Sequence, residues 1–130
     1  MRLTHVRLLV DDMDRILAFY RDALGLDVTL EADGIYYELV AGDVILALYR
    51  RDLMGQMIGA ELSPAGRSDA VALTFQVNDV DSAAETFKER GVELVNEPMD
   101  YEVAFLRVAH LRDPEGNLIE INAPLAAPTV

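Results

Sequence analysis

The chain has 130 residues, 52% of them hydrophobic, enough to bury the core of one domain or of two small halves. Asp and Glu number 23 against 11 Lys and Arg, and the net charge of -12 repels phosphate backbones and anionic lipid, so neither nucleic acid nor a membrane surface is expected as a partner. No run approaches the roughly 18 apolar residues of a membrane span, and with no cysteine there is no disulfide, thiolate zinc site or cysteine nucleophile. The N-terminal "MRLTHVRLLV" alternates like a strand and is unlike a signal peptide, which predicts a cytoplasmic protein. Asp12 can then cap a helix whose buried stripe is Ile16, Leu17, Phe19, Tyr20, Ala23 and Leu24, with Gly25 as its stop. Strand-like runs follow at about 26–31, 35–40 and 43–49. Next comes "RRDLMGQMIGAELSPAGRSD", with a short helical cluster of Leu53, Met54, Met57 and Ile58 before a Ser-Pro-Ala-Gly loop. A second strand carries Val71, Leu73, Phe75 and Val77; Asp79 caps a helix with Val80, Ala83, Ala84 and Phe87 inward, and runs at about 92–97, 103–112 and 117–122 complete the chain.

These two halves are one pattern written twice. Val10 aligns with Val77, Asp12 with Asp79, Asp14 with Asp81 and Tyr20 with Phe87, and a slip of one residue brings Gly25 over Gly91. Each half is therefore a βαβββ unit. A helix covers one side of a sheet, so period-two alternation sorts the faces. Val6, Leu8 and Val10 should meet the first helix, leaving His5, Arg7 and Leu9 opposite. In the second unit Ala72, Thr74 and Gln76 take the open face, as do Leu118, Glu120 and Asn122 of the last strand, with Ile119 and Ile121 in the core. Tyr37 and Leu39 are expected on the open face of the first unit with Leu46 and Leu48, as an apolar wall with one aromatic. His110 depends on the turn "DPEGN". A five-residue loop from Asp113 to Asn117 sets His110 opposite Glu120, within about 5 Å at Cβ, whereas a four-residue loop turns it away.

The paired units, "VDDMDRILAFYRDALGL" and "RDPEGNLIEINAP" resemble the vicinal oxygen chelate superfamily, the glyoxalase, bleomycin-resistance and extradiol-dioxygenase group. The resemblance covers nearly the whole chain. It implies sheets curled into half-open cups with metal ligands on the first and last strands of each unit. Residue by residue, His5 stands at the first-strand ligand position and Glu120 at the last-strand carboxylate. Ala72 stands at the place equivalent to His5, and Leu46 at the one equivalent to Glu120; neither can bind metal. A divalent transition ion usually takes three or four protein ligands. His110 is the candidate third, and related fosfomycin-resistance proteins place a substrate-contacting aromatic at its position, which points to ligand contact instead.

The sequence thus predicts an α+β fold of two tandem βαβββ modules whose curled mixed sheets form a ligand cleft, one domain overall. Residues 1–50 are the first module, 51–69 a linker with a short helix, 70–125 the second module and 126–130 a tail. The expected function is binding or sequestration of a small organic ligand without a complete metal site, in a homodimer. Arg7, Tyr37, Leu46, Thr74, Gln76 and His110 are the candidate ligand contacts. The alternative is a metal-dependent lyase, isomerase or dioxygenase acting on vicinal oxygens, with His5, Glu120 and His110 holding Fe, Mn, Zn or Ni. No residue is singled out as catalytic.

Overall fold

Strand β1, His5–Val10, begins a unit that continues through helix α1, Met13–Leu17, a π-helical extension Ala18–Ala23, and strands β2 (Asp27–Ala32), β3 (Tyr36–Ala41) and β4 (Val44–Arg50). The computed structural model describes residues 1–63 and 69–125, so most of the expected Ser-Pro-Ala-Gly loop and the 126–130 tail lie outside the described residues. The chain divides into two units, Met1–Gly66 and Arg67–Val130. In the first, the strand order is β1-β4-β3-β2, with β1 parallel to β4 and the other pairs antiparallel. The second repeats this with β5 (Ala72–Gln76), helix α3 (Val80–Glu89), β6 (Leu94–Tyr101), β7 (Leu106–Arg112) and β8 (Leu118–Pro124), ordered β5-β8-β7-β6. The fold is α+β, two tandem βαβββ units with mixed four-stranded sheets that do not close.

Both caps form as expected. The Asp12 carboxylate accepts from the Arg15 N–H at 3.2 Å, and Asp79 accepts from the Ser82 N–H at 2.9 Å, which satisfies a donor the first helical turn leaves open. The first helix differs from expectation after Leu17. There the Leu24 N–H donates to Phe19 O at 2.9 Å, a five-residue spacing that widens the last turn. Tyr20 is nonetheless fully buried, with Ile16 and Leu17 beside it, while Phe19 is half-buried. In the second unit Val80, Ala84 and Phe87 make the buried stripe of α3. Val71 is a correction. It precedes β5, whose pairing with β8 starts at Ala72 and Leu118, and it is 68% exposed.

The side-chain faces follow from the pairing. Parallel registration sets Val6 beside Leu46 and Leu8 beside Leu48, and antiparallel registration sets Leu39 beside Leu46 and Tyr37 beside Leu48. Tyr37, Leu39, Leu46 and Leu48 therefore share the apolar face of β1 and are buried with Ile16, Leu17 and Tyr20. Tyr37 and Leu46, expected as an open-face wall, belong to the helix-side core. The cause is the phase of β4. A two-residue turn at Gly42-Asp43, with Gly42 at φ +63°, aligns Ala41 with Val44 and turns both leucines toward the helix. In the second unit Ala109, Leu111, Ile119 and Ile121 fill the corresponding layer.

Helix α2, Arg51–Ile58, follows β4 directly and ends at Gly59, φ +70°. It buries none of its residues fully, with Met57 and Ile58 exposed. Among the described residues no helix is long and apolar enough to cross a membrane.

Candidate functional sites

With the leucines of β4 inward, the face of the first sheet away from α1 carries His5, Arg7, Tyr36, Glu38, Ala47 and Tyr49. His5 on β1 reaches over the small side chain of Ala47 on β4 to Glu38 on β3, its Nε2–H donating to Oε2 at 2.9 Å. Its Nδ1 lies 2.8 Å from the Thr4 hydroxyl, so the ring is held on both sides. The Tyr36 hydroxyl donates to the same Glu38 oxygen. That hydrogen bond, more than the one from His5, holds the Glu38 carboxyl below its usual range against the opposing effect of burial. The Tyr36 phenol is raised, first by burial and then by its bond to the carboxylate. Arg7 lies over two rings, its guanidinium carbon 5.6 Å from the Tyr36 centroid and 5.9 Å from that of Tyr49. The rings themselves meet edge to face at 5.6 Å.

A carboxyl group whose folded-state titration is depressed stabilises the fold above its ordinary value of 4.5 and stops doing so as pH falls through the lowered one. Glu38→Gln is accordingly expected to be less stable than the parent at pH 7, with the gap narrowing toward pH 3. Urea denaturation at the two pH values checks this; a gap that widens in acid would contradict the arrangement.

The second unit builds a different polar cluster on its matching face. The loop between β7 and β8 runs from Asp113 to Asn117, five residues, and His110 pairs directly with Glu120. His110 Nε2–H donates to Glu120 Oε1 at 2.9 Å, and Nδ1 is 2.9 Å from Asn96 Oδ1 on β6. The Asn122 amide donates to the second Glu120 oxygen, also at 2.9 Å. Thr74 lies beside Glu120 in the sheet and Gln76 beside Asn122, both exposed. The loop is wound on Asp113, the described polar residue most removed from solvent at 4% exposure. One carboxylate oxygen accepts from the Glu115 and Asn117 backbone N–H groups and the other from the Asn117 amide, while Gly116 closes the turn at φ +91°.

Comparing the two units sharpens which positions correspond. The caps Asp12 and Asp79 align His5 with Ala72 and Arg7 with Thr74. Arg7 pairs across to Ala47 and Ala47 to Glu38; Thr74 pairs across to Glu120 and Glu120 to His110. The counterpart of Glu120 is thus Ala47, not Leu46 as the sequence suggested, and the counterpart of His110 is Glu38. Each unit makes one histidine–glutamate pair, but from different strands. Glu38, Tyr36 and Tyr49 escaped the sequence analysis. The signal that finds them is the one that found Glu120, a carboxylate in the opposite phase to buried leucines.

Each unit on its own presents a donor pair: His5 and Glu38 in the first, His110 and Glu120 in the second. Among the described residues no three His, Cys, Asp or Glu side chains stand together as an ion would require. The ring nitrogens of both histidines are engaged by neighbours within their own units.

The sequence model of the Glyoxalase/Bleomycin resistance protein/Dioxygenase superfamily matches residues 2–121. The uncharacterized protein YraH of Bacillus subtilis is 39% identical over 124 residues, covering 93% of this chain and 97% of the relative. A probable lactoylglutathione lyase of Synechocystis is 26% identical over 128 residues, covering 93% and 94% respectively. Among solved structures, TnmS3, an antibiotic binding protein from Streptomyces, superposes with a TM-score of 0.71 at 22% identity, covering 95% of this chain and 96% of that one. At that identity the likeness is one of fold.

Proposed function

Because the chain belongs to the glyoxalase/bleomycin resistance protein/dioxygenase superfamily, we propose that it is a small-molecule-binding protein that holds or sequesters an organic ligand through polar side chains on the sheet faces turned away from the helices. The observation that carries this is the engagement of the histidines. His5 and His110 are each tied at both ring nitrogens to protein partners, which turns no ring lone pair toward an ion and suits them to hold the Glu38 and Glu120 carboxylates in place beside a ligand. The antibiotic binding protein from Streptomyces offers a precedent for such a role on this fold. The other reading, a metal-dependent lyase, isomerase or dioxygenase, draws on the contact of His110 with Glu120 and on the relative named a probable lactoylglutathione lyase.

Elemental analysis of protein purified without chelator separates the two. The binding reading expects well under one equivalent of Fe, Mn, Zn or Ni in both the parent and Glu120→Ala. It also expects a melting temperature that rises with a compound from a panel of small organic molecules and antibiotics, equally with and without chelator. One equivalent of metal in the parent, lost on Glu120→Ala, would overturn it.

A further inference from the structure

The first unit contains a basic depression in a strongly acidic protein. About 380 Å³ in volume, it is lined by Arg2, Leu3, Thr4, His5 and Arg7, with no carboxylate among them. That is unusual for a chain carrying 23 acidic residues against 11 basic ones. The other strand arginines are spent on ion pairs: Arg50 with Asp52, Arg107 with Asp81 and Asp100, and Arg112 with Asp69. Arg7 instead rests against Tyr36 and Tyr49, hydrogen-bonds the Tyr36 side chain and feels the charge of Glu38 nearby. The Glu38 carboxylate is tied through one oxygen to both the Tyr36 hydroxyl and the His5 ring, and it does not itself line the depression.

We propose that Arg7, with Arg2 and the Tyr36–Tyr49 pair, forms a binding site for a planar organic carboxylate, a carboxylate borne on an aromatic or conjugated ring. The proposal rests on the small-molecule-binding reading and names its ligand class. A guanidinium has five N–H donors, so with one given to the Tyr36 side chain the others can still meet a carboxylate with two parallel hydrogen bonds. Tyr36 and Tyr49 beside Arg7 add ring area against which a planar ligand can pack. Arg2 adds a second positive charge, and no carboxylate lines the depression itself. A saturated or purely inorganic anion would use the charge and forgo the rings.

The test is an amide-resolved NMR titration of the whole chain with 2-naphthoate, acetate, inorganic phosphate, naphthalene-2-carboxamide and naphthylmethylammonium. Saturable shifts with 2-naphthoate are expected at residues 2–7, 36–38 and 49, at affinities at least tenfold above those for the other four probes. Arg7→Met should weaken naphthoate at least tenfold, and Arg7→Lys, which keeps charge but loses the planar fork, several-fold; an unchanged amide spectrum away from the site shows that both variants fold. Naphthoate binding that survives Arg7→Met overturns the proposal, as does phosphate, the amide or the ammonium binding equally well. If naphthoate fails while another compound from the thermal panel binds elsewhere on the chain, the carboxylate site alone falls. Failure of every compound would sink the broader binding reading with it.

Discussion

Asp113→Ala is expected to lower the stability of the protein by about 2–4 kcal/mol, measured by urea denaturation as a reduced midpoint at unchanged slope. The buried carboxylate accepts two backbone N–H groups and a side-chain amide within the five-residue loop, and its removal leaves those donors without their acceptor in a half-buried turn. The consequence reaches the site. Arg112, at the end of β7, donates to Gly116 O at 2.8 Å and holds Asp69 at 2.7 Å, so loop and strand ends are tied together. The loop length sets His110 against Glu120, since a slip of one residue would carry His110 to the other face. The histidine ring resonances of Asp113→Ala should therefore move even where the fold survives. A variant within 0.5 kcal/mol of the parent would show that the loop is held by other means.

Ala72→His is expected to complete a three-donor metal site within the second unit. In the first unit the imidazole of His5 passes over Ala47 and meets the residue at position 38. The repeat places Ala72, Glu120 and His110 in the same three-strand relation in the second unit. An imidazole at position 72 would thus cross Glu120 toward His110 and complete a two-histidine, one-carboxylate set, and Ala72 is exposed enough to accept it. Zn(II) or Ni(II) at a hundredfold excess over its dissociation constant adds about 2.7 kcal/mol to stability, a gain that denaturation with and without the ion would register. The parent is expected to gain far less. Equal gains for both proteins would refute the correspondence between the two units.

Much of this molecule is legible without coordinates. The aspartate caps, the glycine stops and the apolar periods of the strands are local signals, governed by side chains a few residues apart, and they mark two βαβββ units, within a residue or so for the strands of the first and up to four residues off at β6 and β7 of the second. Alternation around Ile119 and Ile121 turned Glu120 away from the core, and a five-residue loop, once granted, was enough to place His110 opposite it. The first unit was harder because "YYELV" puts a tyrosine in each phase, and tyrosine suits a core or a wet surface equally. What only the tertiary structure decided is which phase faces the helix. Periodicity separates two faces of a strand but does not label them; the label comes from the partner strand. Parallel pairing with β1 drew Leu46 and Leu48 inward, with Tyr37 and Leu39 opposite them, and so delivered Tyr36, Glu38 and Tyr49 to His5 and Arg7.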